Sequence, residues 1–407
     1  MVTDRSLQDR ARQLLDENSI RNRGYYYVAP SKKKYPHQFS WDSAFHAITN
    51  CHLGRVELAR EEILTLLGNI LPDGGLPLLT FHDPSRASLI IRLFRRSIWP
   101  YPYRSSLVQP PVVALAVREI WQRGEDAGFL KEALPSLERH FEWLATTRTI
   151  GNSGLVSIFS PWESGQDHKP GFDRLWGVFA KIPLGLYPAL YLAEIAMSCC
   201  RYDPQQIVKR GWFNVREVLF NTVYALGLEA LATMFSATGD RAKAERFRSR
   251  CESVEKAILE ECYDPASGLY FDVDARTGEL IREPSISCLL PVALRTIPAP
   301  RLEALIAHLT NPDEFWLPYP VPSLPKNSRY FTPADHRYLW RGPTWINTNW
   351  LISEGLRRHG RPDLADEIAR KSRELVQRSG FREFFNPITG EGEGEKDFSW
   401  SALAAIM

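Results

Sequence analysis

The chain has 407 residues, of which 44% are hydrophobic and 24% charged, a composition typical of a globular protein. Lys and Arg total 50 against 48 Asp and Glu, and this formal charge of +2 argues against a nucleic-acid binder with a concentrated basic face. The polar N-terminus lacks the apolar core of a secretory signal, and no uninterrupted apolar run of about 20 residues predicts a membrane span. We therefore expect a cytoplasmic protein with neither a nucleic-acid nor a membrane partner.

Apolar residues recur at three- and four-residue spacing along most of the chain, which is the pattern of amphipathic helices. Short turns at 239–240 and 360–362 join consecutive helices, as expected of antiparallel neighbours. About a dozen helices, largely in pairs, predict an all-α fold, a single closed toroid of helix hairpins over residues 1–407. The predicted helices are 7–15, 43–53, 56–71, 112–121, 129–144, 182–197, 218–238, 242–262, 302–309, 345–358, 364–377 and 400–407.

The segments between the helix pairs are rich in Pro, Gly and aromatic residues. One of them, 263–284, is predicted to form a short hairpin with strands over 263–273 and 276–282. The chain holds 12 Trp, 15 Tyr and 20 Phe, and many of these lie in the loops. Such rings could form a stacking surface for sugars or bases, and core packing is the alternative. The loop segments are 72–84, 98–111, 159–176, 263–284 and 311–343.

Cysteine and histidine give no sign of a disulfide framework or a metal site. The six cysteines form no C-x-x-C pair and are expected to be reduced core thiols. The nine histidines form no H-x-x-x-H or H-E-x-x-H pattern. Nucleotide-binding loops and the G-x-S-x-G nucleophile pattern are also missing from the sequence. We therefore expect no metal and no cofactor.

Three short segments combine carboxylates with aromatic and turn-forming residues. The first runs from Tyr35 to Asp42, where a helix is predicted to begin. Asp42 is suited to cap that helix, or to accept hydrogen bonds from sugar hydroxyls while Trp41 stacks on the ring.

The second segment, 160–170, contains Asp167 and is too rich in Pro and Gly for a helix. A loop Asp is often only a turn residue, and Glu163 and Asp173 are nearby alternatives for a catalytic carboxyl. The third segment, 381–395, alternates Gly with acidic residues. Only Glu383 in it lies between aromatic residues, an apolar setting that shifts the pKa of a carboxyl group.

Two carboxyl groups from distant loops match the requirements of glycoside hydrolysis with inversion. One protonates the leaving oxygen, and the other activates a water on the opposite face, roughly 6.5–9.5 Å away. Asp167 and Glu383, ringed by tryptophans at one mouth of a toroid, would meet that requirement.

In this order and at these positions the segments resemble glycoside hydrolase family 63, which includes processing α-glucosidase I and the bacterial mannosylglycerate and glucosylglycerate hydrolases. Four ordered motifs carry the resemblance, which covers nearly the whole chain. They are Phe39-Ser-Trp41-Asp42, Trp162-Glu-Ser-Gly-Gln-Asp167, Trp340-Arg341-Gly-Pro-Thr-Trp345-Ile-Asn347, and Glu383 through Glu391 followed by Phe398-Ser-Trp400.

The resemblance implies an (α/α)6 barrel with Asp167 as catalytic acid and Glu383 as catalytic base. It also implies a small α-glycoside as substrate, with mannosylglycerate or glucosylglycerate foremost, and no macromolecular partner. The oligomeric state stays open, with a homodimer as one option. Substrate-binding residues implied by the matched segments are Tyr35, Trp41, Asp42, Gln109, Trp162, Gly165, Arg201, Trp340, Arg341 and Trp345.

Departures from the family pattern bear on the substrate. After the acid, the usual Asp-Asn-Ser-Pro is replaced by Asp167-His168-Lys169-Pro170, and Leu78 stands where a His is usual. The run 32–34 is all Lys; with His168, Lys169 and Arg201 it is expected to form a cationic rim for an anionic substrate, unless these lysines only keep a loop soluble. For Arg341, structural pairing with an acid is an equal alternative to binding a hydroxyl group.

Three rival functions stay open at this point. An α-glucosidase or a trehalase-like hydrolase of a neutral disaccharide would use the same carboxyl pair. A sugar epimerase can be built on the same toroid, although such enzymes rely on histidine bases. A sugar-binding protein that has lost catalysis is disfavoured because both acids are present.

Overall fold

The computed structural model describes residues 4–22, 24–175, 186–335 and 337–407. Within these ranges the chain forms fourteen α-helices. They are α1 (Asp4–Asn18), α2 (Ser40–His52), α3 (Val56–Leu67), α4 (Leu89–Ile98), α5 (Val113–Gly124), α6 (Ala127–Trp143), α7 (Pro161–Ser164), α8 (Leu186–Cys199), α9 (Pro204–Lys209), α10 (Val218–Ala237), α11 (Arg241–Glu261), α12 (Ala299–Leu309), α13 (Ile346–Arg358) and α14 (Pro362–Ser379). The first four residues of the helix predicted over 182–197 lie outside the described residues.

Eleven short strands in the described ranges form small antiparallel sheets in the connections. The predicted single hairpin, with strands 263–273 and 276–282, is instead two hairpins, in which β6 pairs with β7 and β8 pairs with β9. The strands are β1 (Ser19–Asn22), β2 (Tyr25–Val28), β3 (Gln38–Phe39), β4 (Leu79–Thr80), β5 (Val215–Arg216), β6 (Tyr263–Asp264), β7 (Leu269–Tyr270), β8 (Val273–Asp274), β9 (Glu279–Leu280), β10 (Arg382–Phe385) and β11 (Gly392–Lys396).

Six helical elements form a closed inner ring. Four are the α-helices α2, α5, α10 and α13, and two are 3₁₀-helices, Ile286–Ala293 and Ser399–Ala405. Each packs against the next, in the order α2, α5, α10, Ile286–Ala293, α13 and Ser399–Ala405, and the last packs against α2. An outer helix lies against each inner one, namely α3, α6, α11, α12, α14 and α1 in the same order. The predicted (α/α)6 barrel is therefore confirmed.

The inner helices are buried around most of their circumference, because neighbours flank them and an outer helix covers them. Helix α10 has apolar residues on nearly all sides, and most of its side chains are buried. It is long and apolar enough to cross a membrane, but 89% of its apolar window is buried inside the ring. Outer helices such as α14 are amphipathic, with a buried apolar stripe and a charged outer face.

The ring closes between elements that are far apart in sequence. The side-chain amide of Asn18, at the end of α1, donates to Ser399 Oγ (2.8 Å), and the Ser399 hydroxyl donates to the carbonyl of Ala29 (2.8 Å). The backbone N–H of Ser399 donates to the carbonyl of Pro30 (2.9 Å). The organisation as one domain over 1–407 stays a prediction.

Several elements differ from the sequence prediction. The segment 160–170 was expected to hold no helix, but the short helix α7 forms there because Ser160 caps it and Pro161 suits its first position. Helix α9 (Pro204–Lys209) was not predicted either.

The inner element Ile286–Ala293 was not predicted, because a uniformly apolar stretch interrupted by Pro291 shows no helical period and fits a short 3₁₀-helix. Helix α4 was also missed, although its sequence is amphipathic, and its apolar residues Leu89 and Ile90 are exposed rather than buried. All six cysteines are free thiols and four are buried, but Cys199 is exposed, so the expected core location is wrong for that residue.

Candidate active site

A cavity of about 430 Å³ opens where the inner helices begin. Asp42 lies in the first turn of α2, Gln109 precedes α5, and Trp345 immediately precedes α13. Ten of the twelve predicted site residues line this cavity, and Arg201 and Arg341 are not among its lining residues. The ten are Tyr35, Trp41, Asp42, Gln109, Trp162, Gly165, Asp167, Trp340, Trp345 and Glu383.

The loop that carries Asp167 is shaped by a short capped helix and a glycine. Ser160 caps α7 by accepting the backbone N–H of Trp162, and the helix ends at Gly165, whose φ is +71°. A Cβ at Gly165 would lie 2.4 Å from the indole ring of Trp41. Only glycine therefore allows the loop to pack against Trp41 in this backbone conformation.

Asp167 lines the cavity and is partly buried by the surrounding protein. This burial raises the pKa of Asp167 to about 7, and the negative charges on Glu383 and Asp42 raise it further. The carboxyl group is therefore substantially protonated near neutral pH, as a proton donor requires.

Glu383 lies on β10 and is only 5% exposed. Burial raises its pKa, but three neighbours oppose this shift by stabilising the carboxylate. Lys34 Nζ lies 3.9 Å from Oε2, the backbone N–H of Glu395 donates to Oε2 (2.9 Å), and the Tyr35 hydroxyl donates to Oε1 (3.4 Å). Glu383 thus has cationic and hydrogen-bonding support for its ionised form, although burial keeps its pKa above the ordinary value.

A break in strand register directs Glu383 into the cavity. The pairing of β10 with β11 shifts between Arg382 and Phe384, so Glu383 occupies an irregular position of the kind that re-aims side chains. Gly394 lies opposite with φ +66°, and a Cβ there would lie 2.8 Å from the Glu383 carboxylate. The alternating glycines of this segment therefore make room for the carboxylate.

Aromatic rings form the wall beside the two carboxyl groups. Trp340 and Trp345 stack in parallel with centroids 3.9 Å apart, and Trp400 meets Trp345 edge-on at 5.6 Å. Trp41 in turn meets Trp400 edge-on at 5.7 Å. These rings support one another and leave an apolar face to the cavity, as a sugar-binding wall requires.

Asp42 lies at the beginning of α2, and Gln109, which precedes α5, contacts this end of the helix. Helix α2 begins at Ser40, so Asp42 lies in its first turn and is not the N-cap that was considered. Burial raises the pKa of Asp42 to about 7, with a smaller contribution from the charge on Glu383. Gln109 Oε1 accepts from the Ser40 hydroxyl (3.0 Å) and from the Trp41 backbone N–H (3.2 Å), which holds Trp41 in place.

The alternative carboxyl groups have other roles. Glu163 is fully buried, forms an ion pair with Arg148, and accepts the backbone N–H of Val108 (3.0 Å). Both carboxylate oxygens of Asp173 accept hydrogen bonds from one guanidinium nitrogen of Arg341 (2.7 and 2.8 Å). Arg341 therefore has the structural pairing that was the alternative to binding a hydroxyl group.

The predicted cationic rim is largely wrong. Lys33 and Lys34 line the cavity, but Lys169 is only 1% exposed and is bonded to carboxylates behind the loop. Burial lowers the pKa of His168 to about 4, with help from the charge of Arg341, so His168 is neutral near pH 7. Arg201 is exposed, in a left-handed turn (φ +53°) after α8.

Helices α4 and α8 form the outer wall of the cavity, which the sequence analysis did not connect with the site. Arg95 of α4 and Glu194 of α8 form a buried ion pair, and Trp99 Nε1 donates to Glu194 (2.7 Å). Arg86 and Tyr191 also line this side. The segment 89–98 was not predicted as a helix, so its residues were not connected with the site.

The described part of the chain has no evident set of side chains that would bind a metal ion. No group of three His, Cys, Asp or Glu side chains there is placed to hold an ion. Two carboxyl groups that line one cavity beside an aromatic wall are instead the equipment of glycoside hydrolases.

This chain is a glycoside hydrolase with an (α/α)6 barrel. Residues 35–401 match the family model described as "Mannosylglycerate hydrolase MGH1-like glycoside hydrolase domain". The chain belongs to this family, a branch of glycoside hydrolase family 63.

Relatives and solved structures agree with this assignment. A mannosylglycerate hydrolase of Thermus thermophilus is 32% identical, with 98% of this chain and 99% of the relative aligned. A glucosylglycerate hydrolase of Mycolicibacterium hassiacum is 27% identical over 91% of each chain. The crystal structure of a family 63 mannosylglycerate hydrolase from Thermus thermophilus, in complex with Tris and D-glycerate, superposes with a TM-score of 0.87 at 31% identity, covering 98% of this chain and 99% of that one.

Proposed function

We propose that the enzyme hydrolyses the α-glycosidic bond of mannosylglycerate or glucosylglycerate with inversion of configuration. The observation that carries this proposal is the pairing of Asp167, whose pKa is raised to about 7, with Glu383, whose carboxylate is supported by Lys34 and the Glu395 N–H. The names of the aligned relatives support the choice of substrate.

In the proposed reaction Asp167 donates its proton to the glycosidic oxygen. The bond between that oxygen and the anomeric carbon breaks, and its electron pair stays with the oxygen of the departing glycerate. Water attacks the anomeric carbon from the opposite face and loses its proton to Glu383. The products are the free sugar, with inverted anomeric configuration, and glycerate.

We propose that the two sides of the cavity divide the work of binding. Trp41, Trp340 and Trp345 would hold the sugar ring, and Asp42 would accept hydrogen bonds from its hydroxyl groups. Lys33, Arg86 and Arg95 line the other side and would attract the glycerate carboxylate. Location in the cytoplasm and a homodimeric state stay predictions, and we propose no cofactor.

The test is a panel of α-glycosides followed by proton NMR of the first product. We expect release of mannose or glucose from the glycerate glycosides, initially as the β anomer. Initial release of the α anomer would contradict inversion, and exchange of a ring C–H in deuterated water without sugar release would indicate an epimerase.

Substrate charge is tested by comparing glucosylglycerate with glucosylglycerol at low and high salt. We expect the anionic substrate to have the higher kcat/KM at low salt, and added salt to narrow the difference through screening. Equal values at low salt would favour a neutral α-glucoside or a trehalose-like substrate.

A further inference from the structure

The residue two positions after Asp167 has no counterpart in the family pattern, where Ser is usual. Lys169 points away from the cavity and its side chain is almost completely buried. Its ammonium group contacts Glu217 Oε1 (2.6 Å), Asp272 Oδ2 (2.7 Å) and the Ser287 hydroxyl (3.1 Å). A buried ammonium group is tolerated only when it is paired in this way.

The two carboxylates that hold Lys169 are themselves fixed to an inner helix. Glu217 caps α10 by accepting the backbone N–H of Phe220 (2.5 Å), and Asp272 accepts the N–H of Val218 (3.0 Å). Lys169 therefore connects the catalytic loop to the beginning of α10 and to the segment between β7 and β8.

The same network reaches the other side of Asp167. The Ser287 hydroxyl, on the inner 3₁₀-helix Ile286–Ala293, lies 2.7 Å from Glu217 Oε1 and 3.0 Å from Gln166 Oε1. Gln166 immediately precedes the acid and Lys169 follows it by two residues. Asp167 is thus held between two residues that share one buried network.

We propose that Lys169 is a positioning residue for the general acid, which rests on the proposed role of Asp167. The ammonium group fixes the backbone of the loop against the beginning of α10, the segment between β7 and β8, and the inner 3₁₀-helix Ile286–Ala293. Its loss leaves two buried carboxylates facing each other, and their repulsion displaces the loop and moves Asp167 out of reach of the glycosidic oxygen.

The test uses the dependence of the reaction on the leaving group. A glycerate glycoside needs a proton on its departing oxygen, whereas an α-glycosyl fluoride releases fluoride, with the C–F electron pair, without one. Lys169→Met removes the charge and keeps the length of the stem. We expect it to lower kcat on the glycoside about 100-fold, the low end of a general-acid contribution. We expect kcat on the matching fluoride to fall by less than about threefold.

Two further variants keep the test decisive if Lys169→Met fails to fold. Lys169→Arg preserves the charge, and Lys169→Met combined with Asp272→Asn removes the excess negative charge. Both should retain the fold and still lose more activity on the glycoside than on the fluoride. Lys256→Met, on the exposed face of α11 with a side chain 72% exposed, is the matched control and should change neither rate.

An equal loss on both substrates in every folded Lys169 variant would overturn the proposal, because a purely structural role does not depend on the leaving group. If the wild-type enzyme cleaves neither glycerate glycoside, the proposed substrate fails. The comparison is then made with whichever alkyl α-glycoside the enzyme does cleave, so the two failures are distinguishable.

Discussion

The two sides of the cavity are built in different ways. The loop with Asp167 is held on both sides, by the contact of Gly165 with Trp41 and by the buried contacts of Lys169. The outer wall, α4 and α8, has exposed apolar side chains, with Leu89 61% and Ile90 80% exposed, and one buried ion pair, Arg95 with Glu194, connects the two helices.

This difference follows the demands of the reaction. A proton donor must stay within hydrogen-bond distance of one oxygen, and a displacement of about 1 Å costs about 100-fold in rate. A wall that binds a departing group needs only to be complementary to it. The contrast therefore predicts that changes near the acid affect turnover, while changes in the wall affect substrate binding.

The largest effect is expected from the two carboxyl groups. Asp167→Asn and Glu383→Gln should each lower kcat by about 10²–10⁴-fold with the fold retained, because each removes one proton-transfer step. Steady-state kinetics measures the fall in kcat, and circular dichroism checks that the fold is retained. Near-normal turnover of either variant would move the assignment to another carboxyl group of the cavity, first of all Asp42.

Turnover should also depend on pH through the acid. Because the pKa of Asp167 is raised to about 7, the proton it donates is lost as the pH rises through that value. Hydrolysis of the glycoside should then fall roughly tenfold per pH unit above it, while hydrolysis of the fluoride should not. The Asp167→Asn variant is measured with the fluoride as a control. If its hydrolysis rate shows the same fall above pH 7, the pH dependence belongs to another group such as Asp42, whose pKa is also raised to about 7.

Gly165→Ala tests whether the contact with Trp41 positions the acid loop. Gly154→Ala is the matched control, since Gly154 has a similar φ of +78° and no atom within 4 Å of an added Cβ. Both changes should cost about 1–2 kcal/mol of stability for the left-handed backbone. Only Gly165→Ala should lower kcat as well, by about 10–100-fold. Equal kinetics of the two variants would contradict a positioning role for this contact.

The smallest effect is expected in the outer wall. Arg95→Met leaves Glu194 buried without its guanidinium partner and should loosen α4 from α8. The KM for the glycerate glycoside should rise about tenfold, equivalent to about 1.4 kcal/mol, with kcat within about threefold of wild type. Arg96→Met, at an exposed position of the same helix, is the control. A fall in kcat at unchanged KM would show that the wall acts on the reacting bond.

The helical period predicted the elements of the ring, apart from Ile286–Ala293, because it is a local pattern. The helical period over 218–238 reproduces α10 (Val218–Ala237) almost residue by residue. Most residues of the cavity were instead implied by the resemblance of the matched segments to glycoside hydrolase family 63. The matched segments brought Trp41, Asp167 and Glu383 to one cavity, although they lie far apart in the chain.

The environment of Lys169 could not be predicted in the same way. A charged residue in a Pro- and Gly-rich loop normally faces solvent, and its partners Glu217, Asp272 and Ser287 come from three separate elements. Arg201 shows the opposite error, since its chain position suggested the site but a left-handed turn leaves it exposed.

Closure of the ring has a consequence for the order in which this enzyme becomes active during folding. The contacts between Asn18 and Ser399 join positions 381 residues apart, so they form late and at a high entropic cost of loop closure. Trp41 and Trp400 meet across that same junction. The aromatic wall proposed to bind the sugar is therefore completed only when the first and last inner elements meet. We expect no catalytically active folding intermediate to accumulate during refolding. Enzyme activity should return together with the slowest phase in which tertiary structure forms.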